Sequence, residues 1–169
     1  GMVEQALLSY FHVPQETPAN YANGKKWDEY CTKYVLEHSK LPPEWGGDVL
    51  EVPVTQLKTL VPYNALSTVT GVYDIYDYKT QTLYELKSGH SLNARRYANT
   101  MQLPLYILVA SLGAIPVKKV VLIRYNPRTD SSDRVVINPG DVHINRAKNY
   151  LDSIVPEVHE YFEKNNLFI

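Results

Sequence analysis

Residues 68 to 106 read TVTGVYDIYDYKTQTLYELKSGHSLNARRYANTMQLPLY and hold the side chains best suited to chemistry. Asp74 is followed by Glu85 and Lys87, and then by Gln102 and Tyr106. Two carboxylates brought close together make a hard oxygen site suited to Mg²⁺ or Mn²⁺. Such an ion polarises a phosphoryl oxygen and lowers the pKa of a bound water. A neighbouring lysine is a compact cation that orients the water or balances charge building on a phosphate. Without a cation the two acids would repel, so a counter-charge is expected on physical grounds alone. The chemistry is metal-dependent cleavage of a phosphodiester. A Glu-x-Lys by itself is as readily an ion pair on a solvated strand, so the elements that hold it decide the matter.

Val69 to Tyr78 and Thr82 to Leu86 are rich in β-branched and aromatic residues, which favours strands. Lys79-Thr80-Gln81 is a short polar break, so the pair reads as a hairpin. Side chains alternate across a sheet, so Glu85 and Lys87 share a face. Asp74 joins them only in a register whose paired residue numbers add to an odd value. A turn centred between Lys79 and Thr80, or between Thr80 and Gln81, satisfies this. An even register would turn Asp74 to the other face. Gly89 permits a tight turn after the second strand, and Ser91 or Asn93 is placed to cap a helix. In that helix Ala98, Met101, Leu105, Leu108 and Leu112 read as core. Gln102 and Tyr106 are i, i+4 neighbours beside them. Pro104 is expected to kink the helix.

Gly71-Val72-Tyr73-Asp74, then Glu85-Leu86-Lys87-Ser88-Gly89, then Gln102-Leu103-Pro104-Leu105-Tyr106 resembles the PD-(D/E)XK nuclease superfamily. The branch it looks most like is the RecB-like and Cas4-like exonucleases. The resemblance implies that Asp74 and Glu85 ligate the metal, with the Leu86 backbone carbonyl as a further ligand, and that Lys87 is the catalytic lysine. It implies that Gln102 and Tyr106 stand at the rim of the site, touching substrate or the attacking water. Relatives carry a Gly-x-x-x-His on their first helix, the histidine being an extra ligand. Here Gly24-Lys25-Lys26-Trp27-Asp28 stands in that pattern, with Asp28 in the histidine position; its oxygens suit Mg²⁺, and a solvated helix carboxylate is the alternative. Glu51 falls where relatives often have a strand glutamate, and it also fits a surface position. His90, Arg95 and Arg96 are placed to contact phosphate, or else to face solvent.

The chain has 169 residues, a net charge of −1 and 44% hydrophobic residues. That length suits one domain spanning 1–169. Its pI of about 6.6 does not point to a generic nucleic-acid binder, which is usually basic; two acids in a metal site add negative charge of their own. Fourteen tyrosines against three phenylalanines suit either a nucleic-acid groove or half-buried faces. The single Cys31 excludes an internal disulfide and the four-cysteine iron–sulfur cluster that Cas4-like proteins carry; it reads as a small buried hydrophobe. The longest uncharged run, Tyr97 to Val117, holds Asn99, Gln102, Pro104 and Pro116 and so reads as a buried helix, not a membrane span. No signal peptide is evident, and Gly1 before Met2 looks like a cloning remnant. A cytoplasmic protein is expected.

The remaining elements complete the frame. Val3 to Phe11 is a short apolar helix and 13–18 a loop. Asn20 to Lys40 is a helix with Trp27, Tyr30, Cys31 and Tyr34 in one stripe. Asp48 to Leu60 alternates as a strand, at an edge because of Pro53, and Pro62 to Ser67 is a turn. Val117 to Tyr125 and Arg134 to Ile137 are strands. Asp141 to Asn165 is a helix or two, broken at Pro156. This order gives an α/β domain with a central mixed β-sheet flanked by helices, which the resemblance also implies as a restriction-endonuclease-like core. The expected activity is that of a metal-dependent, exonuclease-like deoxyribonuclease. The alternatives are a catalytically inactive DNA- or protein-binding subunit that keeps the fold, and a structural partner in a phage assembly. With no room for a sequence-recognition domain, end-directed or structure-selective action, or targeting by a protein partner, is expected. Polarity, oligomeric state and the choice between DNA and RNA stay open.

Overall fold

Five strands lie in sequential order in one sheet. A computed structural model describes residues 18–166; the helix expected over 3–11 and the loop that follows it lie outside the described residues. Helix α1 (Pro18–His38) precedes β1 (Pro53–Asn64), β2 (Ser67–Asp77) and β3 (Thr82–Ser88). Helices α2 (Ala94–Ala98) and α3 (Gln102–Leu112) follow, then β4 (Lys119–Asn126), β5 (Ser131–Ile137) and helix α4 (Asp141–Lys164). The β1/β2, β2/β3 and β4/β5 pairs are antiparallel, and β3/β4 is parallel. A parallel pair needs a long crossover, and α2 with α3 provides it. The fold is α/β, a mixed five-stranded sheet with flanking helices.

Each face of the sheet has its own apolar layer. On one, Cys31 and Val35 of α1, with Leu41, Trp45 and Leu50 of the connection to β1, pack on Ile75, Tyr84, Leu86, Val121, Ile123 and Tyr125. On the other, Leu103, Ile107 and Ala110 of α3 pack on Tyr73, Tyr76, Leu83 and Val120. Helix α4 closes that side through Ala147 and Leu151 against Leu108. Among the described residues no helix is long and apolar enough to cross a membrane.

Several elements differ from the sequence expectation. The buried stripe of α1 runs through Trp27, Cys31 and Val35; Tyr30 is exposed and donates to Glu44. Strand β1 begins at Pro53 and not at Asp48. Proline lacks an N–H, so it suits the first position of an edge strand. The β1 strand also continues through Pro62, with a register shift beside it, so the turn shrinks. Asn99, Thr100 and Met101 separate two helices where one was expected, and Pro104 does not kink α3, because it occupies the first turn, where no intrahelical donor is needed. The α4 helix runs unbroken through Pro156; the apolar face of Ala147, Leu151, Ile154 and Phe162 is buried on both sides of the proline and holds it together.

The β2/β3 hairpin is pinned at its turn by Asp77, which is 1% exposed. Its carboxylate accepts from Glu51 N (2.8 Å), Val52 N (3.1 Å) and Lys79 N (3.1 Å). One side chain thus ties the approach to β1 to the turn that sets the β2/β3 register. Burial pushes the Asp77 carboxyl upward, but the N–H groups of Glu51, Val52, Lys79 and Thr80 more than offset this and hold it below the usual aspartate range. Its stabilising contribution is therefore complete above the unfolded value of about 3.9 and is lost as pH falls through the lower folded value. Asp77→Ala is expected to reduce unfolding free energy in urea by on the order of 2 kcal/mol, by orphaning buried N–H groups. It should also flatten the acid limb of the stability profile below about pH 4.

Candidate active site

The register of the hairpin decides what faces what. Ile75 pairs with Tyr84, Tyr76 with Leu83 and Asp77 with Thr82. These pairs centre the turn between Lys79 and Thr80, so the next position sets Asp74 opposite Glu85. There the backbone ladder stops and a side chain replaces it: Asp74 Oδ2 accepts from Leu86 N at 2.9 Å. On the other side of β2 the ladder is interrupted at the same level. Thr55 pairs with Ile75 and Leu57 with Tyr73, while Gln56 between them adopts a positive φ of 53°. Tyr73 packs into the α3-side layer and Ile75 into the α1-side layer. Strict alternation would put both on one face, so the chain is kinked at Asp74. Gly71 accommodates this: a Cβ there would lie 3.2 Å from Tyr73 Oη and 3.3 Å from Thr59 Oγ1.

Glu85 and Lys87 alternate with Tyr84 and Leu86 and so share the α3 side of the sheet with Leu83. Glu85 is 3% exposed, and its Oε1 is buried with no hydrogen-bond partner among the described residues. Burial first, then the charge of Asp74, push the Glu85 carboxyl well above its ordinary range; Lys87 opposes the shift. Asp74 is also pushed up by burial, against the Leu86 N–H and Lys87.

Lys87 is held at both ends. Its Nζ donates to Gln102 Oε1 at 3.0 Å, and Gln102 Nε2 donates to Tyr106 Oη at 2.9 Å. Its backbone carbonyl accepts from Trp45 Nε1 at 3.0 Å. Tyr106 is itself fixed, because Tyr73 Oη donates to the Tyr106 carbonyl at 3.0 Å and the two rings meet edge to face at 5.4 Å. Burial, then the nearby Glu85, raise the Tyr106 hydroxyl. Asn93 caps α2 by accepting from Arg96 N at 2.9 Å, and so anchors the crossover leading to Gln102.

The other sequence-selected residues lie further out. Asp28 is exposed on α1 and lines an open cleft of about 620 Å³ with Lys25, Thr32, Lys33 and Gln56. Asp28 and Asp74 both bear on Cys31, whose thiol is pushed up chiefly by burial. Among the described residues no group of three or more His, Cys, Asp or Glu side chains gathers at metal-binding spacing, so Asp28 does not join Asp74 and Glu85. Leu86 gives its N–H to Asp74 and its side chain to the α1-side core. His90, Arg95 and Arg96 are exposed, on the loop after β3 and on α2, and Glu51 is exposed as well. Two contacts had no sequence signal strong enough to find them. Trp45 reaches Lys87 from 42 positions away. Arg124, a charge inside the apolar run Val-Leu-Ile-Arg-Tyr, becomes Lys87's neighbour only through the parallel β3/β4 pairing.

The buried Glu85 beside the half-buried Asp74, with one Glu85 oxygen lacking any donor among the described residues, forms an arrangement that a divalent cation would complete. The donor set is all oxygen, which suits Mg²⁺ or Mn²⁺. Without a cation the pair destabilises the fold at neutral pH. The raised folded value of Glu85 means that this cost eases as pH falls through it and is gone below the unfolded value of about 4.3. Glu85→Gln is therefore expected to raise the unfolding free energy in EDTA at pH 7 to 8 by about 1–3 kcal/mol, measured by chemical denaturation. An unchanged or lower value would show that the pair is not under electrostatic stress.

No family model and no curated protein matches this sequence. Among solved structures it is similar to SSO0001, with a TM-score of 0.55 and 18% identity over 88% of this chain and 66% of that one. It is similar to LHK-Exo, an alkaline exonuclease from Laribacter hongkongensis solved in complex with dAMP, with a TM-score of 0.53 and 15% identity over 98% of this chain and 83% of that one. A phage-related exonuclease from Haemophilus somnus 129PT gives a TM-score of 0.58 and 11% identity over 96% of this chain and 81% of that one. At these identities the likeness is one of fold. The mixed sheet with its flanking helices is an architecture that exonucleases use.

Proposed function

We propose that this chain is a divalent-metal-dependent nuclease that hydrolyses phosphodiester bonds of DNA in an exonuclease-like manner. The reading takes residues 1–169 as one PD-(D/E)XK nuclease-like domain, of the RecB-like and Cas4-like branch but without an iron–sulfur cluster. The observation that carries it is the adjacent Asp74 and Glu85 carboxylates, Glu85 buried with an orphaned Oε1, beside a lysine held by Gln102. The exonuclease folds it resembles support it, as does the dAMP bound by one of them.

In this reading Asp74 and Glu85 hold Mg²⁺ or Mn²⁺, with the Leu86 carbonyl as a further donor and Asp28 of α1 as the candidate additional carboxylate. The ion, when bound, supplies Lewis acidity toward a phosphoryl oxygen and acidifies a water. Lys87 balances charge on the phosphate being cut. The amide of Gln102 aims Lys87 and Tyr106 together at that phosphate, so one side chain orients a cation and a hydroxyl donor. His90, Arg95 and Arg96 contact flanking phosphates, and the substrate is selected by its end or shape or by a protein partner.

The test is cleavage of end-labelled linear and of circular DNA, single- and double-stranded, in Mg²⁺, Mn²⁺ and EDTA. Metal-dependent loss of linear DNA alone is expected, with Lys87→Ala folded but inactive, a loss of at least 10²-fold. Calorimetric Mn²⁺ titration should show binding that Asp74→Asn weakens. Folded protein that cuts nothing in any lane would end the nuclease reading. The two-acid ligand set without a gathered third carboxylate is the observation that favours a second reading, a binding subunit. Its signature is DNA binding in EDTA without cleavage in any metal.

A further inference from the structure

Arg124 lies in register with Lys87 across the parallel β3/β4 pair. Parallel partners in register point to the same face, so both project on the side that carries Glu85 and α3. This arginine stands within an apolar strand, with Val121, Leu122, Ile123 and Tyr125 buried around it, and its side chain is 15% exposed. A cation so placed is costly unless it is paired, and the pairing here has a particular form. Arg124 Nε donates to Asp133 Oδ1 at 2.7 Å. The second oxygen of Asp133 accepts from Ala94 N at 2.8 Å. An arginine and a carboxylate commonly meet fork to fork, with Nε and one Nη engaged together. Here the Ala94 amide takes the oxygen that the second guanidinium nitrogen would have used.

The result is a guanidinium locked at Nε, whose Nη1 and Nη2 make no hydrogen bond within the described residues and are not buried donors in need of one. Four N–H groups are left in a fixed plane beside Lys87. That is the geometry of a phosphate fork with its orientation set in advance.

We infer that Arg124 binds a backbone phosphate of the DNA strand, next to the one Lys87 faces, and that Asp133 is the positioning residue that aims it. This rests on the nuclease reading of the same site and adds a substrate contact to it. Asp133 also ties that contact to the N-terminus of α2, which carries Arg95 and Arg96. The three arginines would then follow the strand as one track leading away from the acids.

The test measures binding of fluorescein-labelled single-stranded oligonucleotide in EDTA, where no cleavage occurs, as a function of NaCl. Arg124→Gln should weaken binding about tenfold or more. It should reduce the slope of log K against log salt by about 0.7, the value for one lost phosphate contact on a single strand. Asp133→Asn should weaken binding while keeping the slope, since the charge remains but loses its aim. Lys118→Gln, just before the start of β4, should change neither. A second measurement does not depend on comparing stabilities: one phosphate at a time is replaced by a neutral methylphosphonate. Wild-type protein should lose affinity at one position, and Arg124→Gln should be insensitive at that same position. If the wild type cleaves DNA but the variant keeps the full salt slope and the same methylphosphonate profile, Arg124 is a structural ion pair and the inference falls alone. If the wild type cleaves no DNA in any metal, the nuclease reading falls and the inference falls with it.

Discussion

Two carboxylates side by side in a sheet, one almost sealed from solvent, set the terms for everything around them. Desolvation and mutual repulsion act in the same direction on Glu85, and Lys87 and the Asp74 N–H only partly oppose them. A single N–H, from Leu86, reaches Asp74. Lys87 stands near enough to moderate both charges, yet its ammonium is drawn away to Gln102. A cation is thus kept beside the acids without closing an ion pair on them, which leaves their oxygens available to a harder ion.

That arrangement depends on local backbone that is out of the ordinary and on packing that enforces it. The kink at Asp74 needs Gln56 in the left-handed region opposite it, a conformation that costs a non-glycine residue of order 1–3 kcal/mol. The strain persists because both sides are fixed. Tyr73 is fully buried, and its hydroxyl is bound to the Tyr106 carbonyl, while Asp77 holds the hairpin turn a few residues on. The close approach over Gly71 has the same origin, since the Tyr73 ring crosses the space a β-carbon would need.

Much of this was legible in the sequence. The polar break at Lys79-Thr80-Gln81 limits the turn to a few centres and side-chain parity states which of them bring Asp74 to Glu85, while the choice between odd and even registers is made by the pairing of Ile75 with Tyr84. The i, i+4 spacing of Gln102 and Tyr106 survives although the long helix expected around them is two helices, because both residues fall in the second. What could not be read was set by packing or by pairing between distant segments. Trp45 follows a Pro-Pro break that reads as a loop, and nothing local says that its indole will reach the Lys87 carbonyl. Pro104 and Pro156 have the same lesson in opposite settings. The first costs nothing because it falls in a first turn, and the second is overridden by a buried face on either side of it. Asp28 stands in the pattern of a ligand, yet α1 packs through Trp27, Cys31 and Val35, and that choice of face turns Asp28 toward the cleft.

The topology explains why these groups converge where they do. In an open α/β sheet the carboxyl ends of parallel strands leave a crevice in which ligands bind, and among the described residues only β3 and β4 are parallel. Glu85 and Lys87 occupy the carboxyl half of β3, Arg124 that of β4, and the crossover between them returns α3 with Gln102 and Tyr106 to the same place. Antiparallel β2 adds Asp74 from the other side. Lysine and arginine are then not interchangeable across this pair. Lys87, on a flexible stem with a point charge, suits a group whose partner changes when substrate arrives. On the nuclease reading proposed above, Arg124, planar and pinned by Asp133, would suit a phosphate that is held in one place while Lys87 adjusts to its neighbour.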